Sequence, residues 1–504
     1  MSRRQAFKTD SSFFRMLAAG VVGARAVQQH LNSLGHNIVE LERGALSTRI
    51  WRSVKRKRVR IPDLCCTKCG VRIESRAKTS TELSMSHSPG EAERAWDYGM
   101  LDSDWVAFPI LSAGESVWSA GRLQEQRSLW RERHLTTWQV EGWINLFTVE
   151  SFRSIAPKQL KPKGVSEGAE VQVKWKACFA SGSGRVVEVN KEHLEYLLDD
   201  NPRRRRHFKL AEDVRPFLAA GDRFQRHQVL AGQVKPLTTA ESRCAGNCDV
   251  AKLLASRERT VRFTGCKLAR LAKTTELEGV VRALAEDREE DAYVRMEAKA
   301  YLCEVVGDSA EEQFGAILKD TDEQMRLEAV VTLAETRTPE AFQLLRTVLQ
   351  DTAQPLFLRS ACAWGIGCHG TKEAAEVLIQ AFADVASEIR EEALHALQDL
   401  GAIGFDPLVK GLENPSADIA AGVAEALRRI PNVPVERIER IVELAGQTSS
   451  TWPAWTLAHL PKEAVTPYVA ALQSRRPGVH YAVSVLWNFL ESWIAADWTP
   501  GAMP

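Results

Sequence analysis

The chain has 504 residues, 44% of them hydrophobic and 26% charged, enough for two to four domains with proper cores and too ordinary for a disordered or fibrous protein. Lys and Arg (66) nearly balance Asp and Glu (65), yet residues 1–270 hold 46 basic and 29 acidic side chains, net +17, while residues 271–504 are net −16. No stretch approaches the ~18–20 uninterrupted apolar residues of a membrane span, and the basic half makes nucleic acid the first partner to test.

The first 115 residues read as a compact α/β unit. Met1 to Leu31 joins basic residues to an apolar patch, but Arg25 interrupts the patch and no convincing cleavage site follows. A helix of the mature protein is expected over about 11–34, stopped by Gly35. A strand over 37–42 comes next. The following connection, Trp51 to Arg60, holds Arg52, Lys55, Arg56, Lys57, Arg58 and Arg60 with no acid among them. Such a run is by default a solvated surface, and its place beside a hairpin makes it a candidate nucleic-acid contact.

In residues 60–78 two short apolar runs flank a Lys68-Cys69-Gly70 turn, the pattern of a β-hairpin. Strand alternation puts Glu74, Arg76 and Lys78 on one face and Val71 and Ile73 on the other, with Asp63 at the start of the opposite strand converging on Glu74. Two carboxylates beside cations suit a hard divalent ion and an anionic phosphodiester. A mixed-charge surface hairpin is the bland alternative.

At these residues the chain resembles the PD-(D/E)xK nuclease superfamily, which has the restriction-endonuclease-like fold. Pro62-Asp63 matches its first motif element and Glu74-Ser75-Arg76 its second, with arginine in place of lysine. The leading helix, the first strand, the hairpin, a helix at about 89–99 and a strand over 104–110 match its αβββαβ order, over about 100 residues. The resemblance implies Asp63 and Glu74 as ligands of Mg2+ (or Mn2+) and Asp63, Glu74, Arg76 and Lys78 as the catalytic set. A guanidinium cannot serve as a base, so the family's lysine role passes to Lys78, two residues on and on the same face. The leading helix of the family often adds a glutamate; Gly23-Ala24-Arg25 offers none, and Glu40 or Glu42 is the substitute expected.

Ten cysteines without a regular framework fit a reducing, cytoplasmic setting. Cys66-x-x-Cys69 and Cys244-x-x-x-Cys248 together offer four thiols, but the pairs stand 175 residues apart, and structural or free thiols are the expectation. His87 follows the active strand closely enough to touch substrate, although a lone histidine is more often a cap or surface residue.

Residues 116–270 alternate in short segments, such as 170–175 and 184–189, and read as a β-rich domain. Residues 220–230 resemble a hairpin of barrel-sandwich hybrid domains, with His227 where that pattern has its second glycine. Arg203, Arg204, Arg205 and Arg206 form a second polyanion candidate, following Asn201-Pro202 and otherwise read as an exposed loop.

From about 274 the sequence repeats. Arg295, Arg326, Arg359, Arg390 and Ala421 start equivalent tetrapeptides that close on Ala298, Ala329, Cys362, Ala393 and Ala424, at spacings of 31, 33, 31 and 31. Asp-rich turns precede the units, and the small residue lets helices approach closely. The pattern resembles the short HEAT-like repeats first described in phycobilisome lyases, over roughly 274–490. The register arginines are expected to bond acids or carbonyls between repeats rather than to line a phosphate groove.

The fold class expected is a multidomain α+β chain: an N-terminal α/β restriction-endonuclease-like domain (1–115), a β-rich, basic middle domain (116–270) and a C-terminal all-α HEAT-like solenoid (271–504). The function expected is a metal-dependent nuclease, DNA favoured over RNA through the resemblance alone. Its solenoid would bind a protein partner or a second copy of the chain and gate the cut, as in bacterial defence or DNA processing. The competing class is a non-catalytic nucleic-acid-binding scaffold on a degenerate nuclease fold. A lyase- or chaperone-like adaptor, suggested by the repeats alone, leaves the basic half unexplained.

Overall fold

The computed structural model describes residues 11–42, 61–113, 138–160, 171–430, 433, 435–447 and 450–495. They form two compact units, one reaching Tyr301 and one starting at Leu302.

The first unit opens with α1 (Ser11–Ser33), which ends where Gly35 takes φ +92°, a left-handed conformation that costs a residue without Cβ nothing. Six strands follow: β1 (Ile38–Glu40), β2 (Leu64–Cys66), β3 (Arg72–Ser75), β4 (Leu83–His87), β5 (Trp105–Ala113) and β6 (Trp138–Thr148). Five of them make one sheet in the order β1-β2-β3-β5-β6, in which β3 and β5 are parallel and the other neighbours antiparallel. Alternation along the strands divides its two faces. Ile73, Ala107 and Leu146 pack with Val27 and Leu31 of α1, whereas Val106, Phe108 and Phe147 join Trp96, Phe152 and Trp175 on the other side. At about 1.5–3 kcal/mol per buried large apolar side chain, this aromatic layer outweighs any exposed ion pair, worth about 0–1 kcal/mol.

The helix expected at about 89–99 is a single 3-10 turn, Ala92–Arg94. A strand, β4, precedes it, because Leu83 and Met85 alternate with Ser84 and Ser86, a strand period, and Pro89-Gly90 then breaks the chain. β4 leaves the first sheet to pair with β8 (Val171–Trp175), which also pairs with β7 (Lys158–Leu160). The boundary expected at 115/116 falls between two strands of one sheet, since β5 and β6 run side by side with Val106 opposite Phe147. The one expected at 270/271 falls inside the helix Arg259–Ala272.

The β-rich remainder of this unit holds β9 (Ala177–Phe179), β10 (Gly184–Val189), β11 (His193–Leu198), β12 (Asn201–Lys209), β13 (Arg215–Pro216), β14 (Arg223–Phe224) and β15 (Val229–Gly232). They form a sheet β12-β11-β10-β14 over Val186, Leu194, Tyr196 and Phe224, and a smaller sheet β13-β15-β9. His227 has φ +65°, and the bonds from its N–H to the Ala180 carbonyl and between its Nδ1 and the Glu141 carbonyl hold it there.

The second unit is helical among its described residues, from Ala310–Leu318 to Pro477–Ala495. The small register residues Ala329, Cys362, Ala393 and Ala424 are all fully buried. A Cβ on Gly367 would come within 2.8 Å of Ala396 Cβ, so the helices Leu356–Cys368 and Ser387–Leu400 approach at a distance only small residues permit. Asp322 caps the helix Glu323–Glu335 by accepting from the Gln324 N–H at 2.8 Å. No helix among the described residues is long and apolar enough to cross a membrane.

Candidate functional site

The antiparallel register Leu64 to Ile73 carries Asp63 to the position opposite Glu74. The Asp63 carbonyl accepts from the Leu41 and Glu42 N–H groups at 2.9 and 3.2 Å, and its Oδ2 accepts from the Ser75 N–H at 2.7 Å, so three strands meet at this residue. Burial, then the neighbouring carboxylates of Glu74 and Glu42, push the Asp63 carboxyl well above its ordinary range; the Ser75 amide and Arg76 oppose the shift. Glu42 thus stands where the expected substitute for a helix glutamate was sought.

Arg76 closes an ion pair from Nη2 to Glu74 Oε1 at 2.9 Å, and both side chains are largely buried. Its Nε and the Ser75 hydroxyl are buried without a hydrogen-bond partner. Beyond β3 the chain keeps running along β5, with the Arg76 N–H on the Ala107 carbonyl at 2.8 Å and the Lys78 N–H on the Pro109 carbonyl at 3.0 Å. Lys78 Nζ donates to Ser84 Oγ at 3.0 Å, and Ser84 in turn donates to Glu82 Oε1 at 2.9 Å. Burial lowers the Lys78 ammonium to about 8. The structure therefore pairs Arg76 with Glu74 across from Asp63 and holds Lys78 in an adjoining Ser84–Glu82 network that the hairpin spacing did not announce. The lack of a glutamate in α1 has a steric cause: a Cβ on Gly23 would lie 2.8 Å from Ala77 Cβ and 3.1 Å from Pro109 Cγ. The helix lies on the very segment between Arg76 and Lys78.

The basic run Arg52, Lys55, Arg56, Lys57, Arg58 and Arg60 lies outside the described residues. Arg203 to Arg206 occupy β12, an edge strand rather than a loop, with Arg205 opposite Leu197 and Arg206 opposite Tyr196. Arg205 is paired with Glu195 at 3.1 Å, whereas Arg203 and Arg204 are exposed. Charges on an edge strand also block sheet-to-sheet aggregation, which is the plainer account of this run. His87 ends β4 with its Nδ1 buried and without a hydrogen-bond partner.

Of the repeat arginines, Arg359 and Arg390 act inside the helical stack, while the Nε atoms of Arg295 and Arg326 are buried without a hydrogen-bond partner. Arg359 Nε donates to the Leu349 carbonyl at 2.8 Å, and its guanidinium pairs with Asp384 of the next unit's leading turn. Arg390 Nη1 donates to the Asp384 and Val385 carbonyls at 2.6 and 3.0 Å. These bonds orient successive helices and leave the two arginines unsuited to a phosphate groove.

A comparison with curated protein sequences gives no significant match. Among solved structures, human deoxyhypusine hydroxylase is 17% identical, with 45% of this chain and 99% of that chain covered and a TM-score of 0.20. The complex of CpcE and CpcF of phycocyanin lyase from Nostoc sp. PCC7120 is 16% identical over 49% and 97%, with a TM-score of 0.23. An archaeal HEAT-like repeats protein from Thermococcus onnurineus is 14% identical over 43% and 98%, with a TM-score of 0.20. The family description for HEAT repeats matches residues 278–356 and 311–398. With its repeat spacing and buried small register residues, the C-terminal region is built of HEAT-like repeats.

Proposed function

We propose that the chain is a metal-dependent nuclease whose first unit cuts nucleic acid and whose HEAT-like helices serve as a scaffold for a protein partner. The observation that carries this reading is the strand register that sets Asp63 opposite Glu74, with burial and the carboxylates of Glu74 and Glu42 raising the Asp63 carboxyl. Two facing carboxylates of this kind are relieved by a hard cation, and oxygen donors suit Mg2+ or Mn2+. The observed order α1-β1-β2-β3-β5 lends support, as it reproduces the αβββ…β part of the nuclease-like order, with β4 and a 3-10 turn where the second helix would stand.

Asp63 and Glu74 would hold the ion, which when bound polarises a phosphodiester and makes water nucleophilic at neutral pH. Arg76, paired with Glu74 through Nη2, supplies the positive charge that neutralises phosphate. Lys78 holds or yields a proton at Nζ near neutral pH and orients the attacking water. The Arg76 to Glu74 ion pair favours a second reading, a nucleic-acid-binding scaffold in which arginine stands in for the metal.

The two readings part on incubating plasmid, single-stranded DNA and RNA with Mg2+, Mn2+ or EDTA. Cleavage that needs a divalent ion and disappears in Asp63→Asn and Glu74→Gln, with binding retained, is expected. Wild-type chain that binds but never cuts would establish the scaffold, and variants that cut at the wild-type rate would move the site elsewhere.

A further inference from the structure

We propose that His36, Cys66, Cys69 and Cys244 bind one structural zinc ion, a site separate from Asp63 and Glu74. The four come from three segments. His36 lies between α1 and β1, Cys66 ends β2 and Cys69 sits in the turn before β3, while Cys244 belongs to residues 233–249, which have neither helix nor strand. Irregular stretches of that length are uncommon in compact domains unless something ties them down.

One ligand atom from each residue lies within 4.8 Å of every other. Cys66 Sγ is 3.9 Å from Cys244 Sγ, and Cys69 Sγ is 3.6 Å from His36 Nδ1. Zinc bonds of about 2.3 Å to sulfur and about 2.0–2.1 Å to nitrogen, set at tetrahedral angles, place sulfurs about 3.8 Å apart and sulfur and nitrogen about 3.6 Å apart. A disulfide, by contrast, needs sulfurs at about 2.05 Å. The observed spacings are those of a coordination tetrahedron.

The surroundings are built for the same purpose. His36 is 5% exposed, and its Nε2 meets the Ser242 carbonyl at 3.0 Å. A carbonyl can only accept, so the proton sits on Nε2 and the Nδ1 lone pair faces the thiols, the arrangement that fixes a metal-binding imidazole. The Asn37 and Cys69 amides are directed at Cys66 Sγ and the Val71 amide at Cys69 Sγ, which stabilises thiolates. Gly70 turns the knuckle with φ +75°, as a residue with a Cβ there would meet Cys248 Sγ at 2.7 Å. The Cys244 N–H donates to the Leu34 carbonyl and the Cys248 N–H to the Lys68 carbonyl, so the 233–249 segment is already seated on the knuckle.

Soft thiolates exclude Mg2+ and Ca2+, and four protein ligands leave no open position, so the ion is structural. It staples the closed end of the hairpin whose open end carries Asp63 and Glu74. Where the sequence suggested structural or free thiols, this proposal makes Cys66 and Cys69 ligands, with His36 rather than Cys248 as the fourth.

Elemental analysis of the purified full chain should find about one zinc per molecule. His36→Ala, Cys66→Ser, Cys69→Ser and Cys244→Ser should each lose most of it, while Cys248→Ser and Asp63→Asn keep it. Because the ligand variants can fail to fold, the wild-type chain is also stripped with a chelator and titrated with Co2+, and thiolate-to-metal charge-transfer and tetrahedral ligand-field bands are expected at one equivalent. A chain without zinc whose stripped form gives no such bands overturns the site. Zinc retained in His36→Ala but lost in Cys248→Ser overturns this ligand set.

Discussion

At the scale of single residues, Lys78 offers the sharpest test, because its chemistry follows from its burial. Its ammonium is lowered to about 8 from an ordinary 10.5. Between those values the unfolded chain binds more protons than the folded one, so stability rises with pH across this window. Below about 8 both states are protonated and the folded chain carries the full penalty of a buried charge; by about 10.5 the penalty is gone. Lys78→Met should therefore melt above the wild type at pH 7, and its advantage should shrink steadily as the pH is raised toward 10.5. A difference in Tm that ignores pH would put the Lys78 ammonium in water. Strand alternation was enough to bring Asp63 opposite Glu74, since period two and one turn decide that pairing. The same alternation could not find Ser84 and Glu82, which reach Lys78 only because β4 swings away to meet β8.

At the scale of elements, the repeats show how one side chain can set the angle between helices. Arg359 and Asp384 keep 7% and 13% of their side-chain exposure, and Arg359 also holds the Leu349 carbonyl, so three backbone segments depend on one guanidinium. Breaking a buried pair by removing one partner costs about 3–5 kcal/mol because the other charge is left stranded. Arg428 and Glu425 form a pair within one helix at 37% and 26% exposure, worth at most about 1 kcal/mol. Urea unfolding of Arg359→Ala should accordingly show a far lower midpoint than that of Arg428→Ala. Equal midpoints would mean that the Asp384 pair is as well solvated as the surface one. The arginine register was visible in the sequence as a spacing, and its preference for acids and carbonyls followed from the acidic balance of that half. Which carbonyl each one takes depends on the helix packed against it.

For the whole molecule, the asymmetry of charge survives when the chain is divided after Tyr301. Residues 1–301 hold 51 basic and 37 acidic side chains, and residues 302–504 hold 15 and 28. A basic surface binds polyanions through counterion release, so its affinity falls steeply with salt. The fragment 1–301 should bind labelled DNA in a salt-sensitive manner, and the fragment 302–504 should bind almost none while remaining free to engage a protein through its helical surface. A salt titration of both fragments checks this. Tight DNA binding by 302–504 would transfer recognition to the helices.

Local periodicity and turn chemistry by themselves determined the first helix with its Gly35 stop, the hairpin that pairs Asp63 with Glu74, and the HEAT-like register with its buried small residues. Each depends on residues close in the chain, where side-chain period and a glycine or proline suffice. The tertiary structure alone decided that β6 completes the first sheet, that α1 presses Gly23 against Ala77, and that His36 meets three cysteines. Those arrangements join segments tens to hundreds of residues apart, and the choice among distant partners is made by the packing of the whole unit, which no spacing along the chain records.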